Sequence, residues 1–302
     1  MAQPPAPASP RDLIPPEVRA RLKDIPLLAR QAAGVHGFGL HRSHNRGAGL
    51  EFAQYRAYEP GDELRQVDWK LYARSDRFFV RESERDSPLD LWLLVDASAS
   101  MTQQDRARPH WSRMDAAKAL AACLVELALR QGDRFGLAMI GGGELRVVGI
   151  GAGPRQRDRC MLALQELQAA GTWPDEAKLR PLWEHAGART LVVSLGDSFD
   201  DAAVILAERL AAARREVLSV QILTVEERDF PFRGGHRFRD PESGEELLGD
   251  GDGIRDGFIA RFAAARAALA KRLAASGIRH VEYVLDEPLD LPLRRLFLGK
   301  PA

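Results

Sequence analysis

Residues 89–101 read LDLWLLVDASASM. The apolar run from Leu89 to Val95 stops at Asp96, and small residues then alternate as Asp96-Ala97-Ser98-Ala99-Ser100. A near-continuous apolar run of this length, bounded by a polar loop, is the pattern of a strand buried on both faces. It delivers one carboxylate and two hydroxyls into the loop that follows. Downstream, Asp115 to Arg130 places Leu120, Leu124 and Leu127 at helical spacing before Gly132 ends the pattern. The loop therefore lies at the C-terminal edge of a strand that leads into a helix, and open α/β sheets bind their ligands at that edge.

The donors in this loop are hard oxygens, which suit Mg²⁺ or Mn²⁺ rather than zinc or copper. Mg²⁺ takes six oxygens and keeps several waters, so one carboxylate and two hydroxyls leave positions open. The D-x-S-x-S pattern of Asp96, Ser98 and Ser100 resembles the metal-ion-dependent adhesion site of von Willebrand factor A domains. That resemblance implies a Thr from a second loop and an Asp from a third. Thr172, in Gly171-Thr172, and Asp197, in SLGDSFDD after the apolar stretch Thr190 to Leu195, stand in the matching order. Without the resemblance, the same loop also reads as a carboxylate capping the next helix.

The 302 residues suffice for one large or two modest domains. Lys and Arg number 43 and so do Asp and Glu, and this balance argues against the broad positive field of a nucleic-acid binder. Cys123 and Cys160 lack CxxC spacing and sit in apolar helical patterns, as small core residues of a reducing compartment do. No apolar stretch approaches the roughly 20 residues that span a bilayer. The opening MAQPPAPASPRD has prolines where a secretory signal has an apolar centre. The expectation is a soluble cytoplasmic protein with no membrane span.

Residues 1–16 read as a flexible, Pro-rich tail. A helix over Glu17–Ala32 follows, shortened or kinked by Pro26. The Gly/Arg-rich loop 34–50 lacks the spacing of a nucleotide-binding loop. Glu51 to Tyr58 alternates as a strand, Glu59-Pro60-Gly61-Asp62 is a turn, Glu63 to Ala73 a helix with Asp62 as cap, and Arg77 to Arg81 a second strand.

Arg56, Tyr58, Pro60, Gly61, Asp62, Arg65, Asp68 and Trp69 form an R-x-Y-x-P-G-D-x-x-R-x-x-D-W stretch ahead of D-x-S-x-S. In that order the two motifs resemble the bacterial family called domain of unknown function 58. The resemblance implies an α/β von Willebrand factor A-like domain with an N-terminal extension, and genes that accompany a MoxR-type AAA+ ATPase. Arg65, Asp68 and Trp69 are candidates for a partner-binding surface, or for an ion network holding the extension in place.

Arg134 to Ile140 and Leu145 to Ile150 are strands joined by GGGE, a connection short enough only for an antiparallel hairpin. The expected fold is thus a doubly wound, mostly parallel sheet with one antiparallel edge strand. Its extension spans 17–88 and the von Willebrand factor A-like domain 89–300. Helices at Arg155–Ala169, Lys178–Ala186, Asp200–Arg214 and Asp256–Ala275 alternate with strands at Thr190–Leu195, Val217–Val225 and Ile278–Leu285. GDGDG at Asp250 and Asp252 lacks the remaining ligands of a calcium loop and reads as a plain loop.

Two functions fit. One is a non-enzymatic module that presents Mg²⁺ to a carboxylate of a partner, as an adaptor between a MoxR-type ATPase and an unidentified client. The other is a metal-dependent hydrolase of phosphoesters, for which Asp197, Asp200 and Asp201 would be the candidate bases. Ser98 lies in no G-x-S-x-G elbow and the histidines show no HExxH spacing, so the first is favoured.

Overall fold

A computed structural model describes residues 13–27, 51–58, 67–84, 88–106, 108–185, 187 and 190–299. The chain divides into two compact units, residues 36–88 forming the smaller. The expected loop 34–50, the turn at residues 59–62, Arg65 and most of the tail lie outside the described residues.

The larger unit opens with α1 (Pro16–Arg21), continued by one 3-10 turn to Asp24. The helix expected to reach Ala32 ends here, because Ile25 precedes Pro26 and is forced into extended backbone (φ −95°, ψ 111°). Ile14, Val18, Leu22, Ile25 and Leu27 are buried in the same core as the main sheet. The expected 17–88 extension is therefore split: its first helix, and Ile14 of the expected tail, belong to the larger unit.

In the smaller unit β1 (Glu51–Ala57) precedes α2 (Trp69–Ser75), and β2 (Phe79–Glu84) pairs antiparallel with β1. The helix expected from Glu63 begins only at Trp69. Asp68 is extended and caps it, Oδ1 accepting the amides of Lys70 at 2.9 Å and Leu71 at 3.0 Å. Asp68→Ala should cost the first turn of α2 about 1 kcal/mol or more, while Asp68→Asn keeps the cap. Native-state hydrogen exchange at the Lys70 and Leu71 amides would read that difference, and equal protection in both variants would contradict it.

The central strand of the larger unit is β3 (Asp90–Asp96), buried from Leu91 onward. A short ribbon of β4 (Gln104–Asp105) and β5 (Arg108–Ser112), not visible in the sequence pattern, leads into α3 (Arg113–Gln131). Ser112 and Asp115 close a capping box at the start of α3, and Gly132 ends it in the left-handed region (φ 79°). Ala116, Ala117, Ala119, Ala121 and Ala122 are all buried, so most of the circumference of this helix lies inside the protein, and Asp115, Lys118 and Glu126 mark a narrow half-buried stripe. Cys123 and Cys160 are free and buried, with burial pushing both thiols up.

Next come β6 (Arg134–Gly141) and β7 (Glu144–Gly151), joined through Gly142 and Gly143, both at positive φ (61° and 69°). Two positive φ values in a two-residue hairpin loop make a type I′ turn, whose twist matches the flanking strands. The remainder runs α4 (Gly153–Glu166), α5 (Glu176–His185), β8 (Thr190–Gly196), α6 (Asp201–Ala212), β9 (Glu216–Leu223) and α7 (Val225–Asp229). A hairpin of β10 (Gly235–Arg239) and β11 (Glu246–Asp250) precedes α8 (Gly251–Ala275), β12 (Arg279–Val284) and α9 (Leu291–Leu298). The GDGDG stretch is not a loop: α8 starts at Gly251, and Asp252 pairs with Arg233 at 2.6 Å.

The six-stranded sheet has the order β12-β9-β8-β3-β6-β7. Only β6–β7 is antiparallel, so the backward strand is at one edge, as the short glycine connection requires. Alternate residues of β3 face two separate cores: Leu91, Leu93 and Val95 one, Trp92 and Leu94 the other. This is the doubly wound, mostly parallel α/β sheet expected from the sequence, with helices on both faces and one antiparallel edge strand. From β3 the chain passes through α3 to β6 on one side and later returns to β8 on the other. The crevice between the ends of β3 and β8 is thus the switch point of the sheet.

Candidate functional site

Asp96 ends β3, and Asp197 immediately follows β8, so both carboxylates stand at that crevice. Two glycines permit the close approach. A Cβ on Gly196 would lie 2.6 Å from Cβ of Asp96, and one on Gly141 would lie 2.1 Å from the Ala97 carbonyl oxygen.

After β3 the chain turns at once. The Ser98 amide donates to Asp96 Oδ1 at 2.9 Å, and the Ser98 and Ser100 hydroxyls lie 2.9 Å apart. Both serines are buried. The loop is tied to its neighbours by main-chain bonds: Ala97 N to Ile140 O at 2.7 Å, Ala99 N to Gly171 O at 2.8 Å, and Ala170 N to Ala97 O at 2.9 Å. Thr172 sits in this second loop with its carbonyl accepting the Gly143 amide at 2.9 Å, and its side chain is exposed. The structure therefore brings the loops of Asp96, Ser98, Ser100, Thr172 and Asp197 together.

Four residues that the sequence reading did not nominate, Trp173, Arg113, Glu227 and Phe199, line the surroundings. Trp173 donates its indole N–H to Asp96 Oδ1 at 3.2 Å. Arg113, at the first position of α3, donates from Nη1 to Asp197 Oδ2 at 2.8 Å and to the Ser100 carbonyl at 3.2 Å. Its Nη2 pairs with Glu227, which is itself fixed by the capping box with Thr224 at the start of α7. The guanidinium also stands over the Phe199 ring, 5.0 Å from its centroid. The other oxygen of Asp197, Oδ1, accepts the Phe199 amide at 3.0 Å.

The two carboxylates are thus treated differently. Asp197 has a donor on each oxygen, one of them a cation. Asp96 accepts the Ser98 amide and the Trp173 indole on Oδ1 and has the Ser98 hydroxyl against it as well, but no cation pairs with it among the described residues. Asp96 is only 5% exposed, and burial together with the negative charge of Asp197 pushes its carboxyl up to about 7. Three carboxyl groups, those of Asp96, Asp197 and Glu227, thus stand around the single guanidinium of Arg113.

Those features bear on a metal. Two cis ligands of an octahedral Mg²⁺, each about 2.0–2.1 Å from the ion, are separated by about 2.9 Å, which is the spacing of the two serine hydroxyls. Among the described residues no group of three or more His, Cys, Asp or Glu side chains is arranged to hold a metal. Any ion here depends on hydroxyls and water for most of its ligands. The residues fit a hard divalent ion on Asp96, Ser98 and Ser100.

A family model described as Protein of unknown function DUF58 matches residues 54–268, a span that contains every residue of this site. The chain belongs to that family. Among DUF58-like relatives, it is 30% identical over 272 residues to Uncharacterized protein Mb1516 of Mycobacterium bovis, covering 88% of this chain and 84% of that one. Uncharacterized protein Rv1480 of Mycobacterium tuberculosis matches with the same identity and coverage. Solved structures similar to this DUF58 chain include an aerotolerance-related membrane protein from Bacteroides fragilis, at 15% identity and a TM-score of 0.44 over 70% of this chain and 97% of that one. The SpRpn10 VWA domain is similar at 15% identity and a TM-score of 0.41, over 71% and 96%. No helix among the described residues of this DUF58 chain is long and apolar enough to cross a membrane.

The second DUF58 motif divides by role. Arg65 lies outside the described residues. Asp68 is buried and spends its carboxylate on the cap of α2. Trp69 is 56% exposed and meets Tyr72 and Phe78 edge-on, while those two rings stack at 4.3 Å. Asp68 thus positions α2, and Trp69 is an exposed residue of the motif among the described residues.

Proposed function

We propose that this DUF58 protein is a protein-interaction module that holds Mg²⁺ or Mn²⁺ on Asp96, Ser98 and Ser100, with Thr172 and Asp197 beside them. A bound ion would supply a positive centre with an open position for a carboxylate of a partner. The chain's own part is to hold the hydroxyl pair and Asp96 in place through the ties between its loops. On this reading the module is an adaptor between a MoxR-type AAA+ ATPase and its client, with the exposed Trp69 group of the smaller unit as a second contact. The observation that carries it is the hydroxyl pair at 2.9 Å beside the buried Asp96 carboxylate, which no cation pairs with among the described residues.

The alternative, hydrolysis of phosphoesters, needs a base near the ion. Asp200 is used as the cap of α6, accepting the Ala202 amide at 2.8 Å, and Asp201 pairs with Arg272. Asp197, the third candidate, pairs with Arg113 at 2.8 Å, so all three are committed elsewhere, which supports the interaction reading over the hydrolase.

Titration calorimetry with MgCl₂ and MnCl₂ tests the proposal. Wild type should bind one ion and Asp96→Ala none, with circular dichroism unchanged. Binding to the ATPase should then depend on Mg²⁺ in wild type and lose that dependence in the variant. Equal ion binding by both proteins, or turnover of a phosphoester panel abolished by Asp96→Ala, would overturn it.

A further inference from the structure

Two carboxylates at adjacent strand ends have opposite surroundings, and the difference traces to one residue. Arg113 is 2% exposed, and a buried guanidinium persists only where its charge is matched. Its planar fork addresses Asp197 through Nη1 and Glu227 through Nη2, while the Ser100 carbonyl takes a second bond from Nη1. The capping box of Ser112 and Asp115 fixes the backbone from which it projects. Phe199, whose amide holds the other oxygen of Asp197, lies under the guanidinium. Both Nη atoms are held, while the buried Nε has no partner among the described residues.

We propose that Arg113 is a resident counter-cation of this site: it neutralises Asp197 permanently, so that a divalent ion is received by Asp96 and the two serines without Asp197 as a direct ligand. This rests on the metal reading given above and adds a specific division of labour. Arg113 and the ion are two cations in one field. The guanidinium satisfies Asp197 and Glu227, and also sets how strongly the remaining negative charge attracts the ion. Removing it would leave Asp197 uncompensated beside Asp96, and attraction for a divalent ion would rise.

The test uses the full chain and MgCl₂ alone, with calorimetry and with thermal unfolding in EDTA or Mg²⁺. Arg113→Gln should bind Mg²⁺ about tenfold more tightly than wild type, the effect of roughly one added charge interaction. It should also gain more thermal stability from the ion than wild type does. Arg113→Lys keeps the charge and should stay near wild-type affinity. Wild-type binding with equal or weaker binding by Arg113→Gln would overturn the counter-cation assignment and leave the metal reading standing. Binding by Arg113→Gln but not by wild type would overturn the metal reading for the native protein, since Arg113 would then exclude the ion rather than accompany it. No binding by either would overturn both.

If Arg113→Gln does not fold, the double variant Arg113→Gln/Asp197→Asn removes both charges of the pair. It should bind Mg²⁺ within a few-fold of wild type, because Asp96, Ser98 and Ser100 are untouched. Loss of binding in a folded double variant would show Asp197 to be a direct ligand and would overturn the proposal.

Discussion

Asp96→Asn is expected to make the metal-free protein more stable at pH 8 and to flatten its loss of stability with rising pH. The carboxyl is raised from an ordinary 3.8 to about 7 by burial first and by the charge of Asp197 second. A raised acid holds its proton in the folded state over a range where the unfolded chain has already released it. Stability contributed by that proton is present below about pH 4, falls as pH rises, and is gone above about pH 7. At pH 8 the buried, ionised Asp96 should therefore cost on the order of 3–4 kcal/mol. Asn avoids the cost and keeps an oxygen for the Ser98 amide and the Trp173 indole. Urea unfolding in EDTA at pH 4, 6 and 8 would measure it, using the difference between variant and wild type so that other groups cancel. A difference that stays constant with pH would refute the assignment. Adding Mg²⁺ should stabilise wild type at pH 8 and leave Asp96→Asn unmoved.

Gly141→Ala should be the most damaging single methyl in the larger unit. The added Cβ would stand 2.1 Å from the Ala97 carbonyl oxygen and 2.2 Å from its carbon, both main-chain atoms that no rotamer change can move. The same place carries the bond from the Ala97 amide to Ile140 that joins the metal loop to β6. Overpacking usually costs about 1–3 kcal/mol, and a clash with backbone beside a paired strand belongs at or above the top of that range. Gly143→Ala is the comparison: nothing lies within 4 Å, and its positive φ alone should cost about 1 kcal/mol. Thermal unfolding of both variants separates the two effects, and similar losses would show that close approach at Gly141 is not what matters. The surviving folded fraction of Gly141→Ala should also bind Mg²⁺ more weakly, because its Asp96 loop is displaced.

Most of the sheet is legible in the sequence because its signals are local. The apolar run Leu91–Val95 announces a strand covered on both faces, and GGGE leaves room only for a hairpin, which puts the antiparallel strand at an edge. Local signals mislead where a single residue competes with a pattern. The apolar spacing of Leu64, Val67 and Leu71 predicts a helix from Glu63, yet Asp68 in extended backbone starts it at Trp69. Asp96, Ser98 and Ser100 are readable because one loop carries them. Arg113 is not, since an arginine on the first turn of a helix has the look of a surface residue. What buries it are Asp197 and Glu227, 84 and 114 positions away. Trp173 had a nearer signal, following Thr172 directly, but nothing in its spacing says that an indole would turn back to Asp96.

The docking of α1 has a consequence for how the protein is made. Arg21 pairs with Asp290 across 269 residues, and the side chain of Gln131 holds Leu27 and Ile25 across more than a hundred. During synthesis Arg21 leaves the ribosome 269 residues ahead of Asp290. The smaller unit, whose β1–β2 pairing is local, is complete long before Asp290 emerges. At a few to some twenty residues per second, the apolar face of Val18, Leu22 and Leu27 waits on the order of ten seconds or more for its place in the core. Through that interval the face is open to whatever binds nascent apolar chain, and the arrival of α9 closes it.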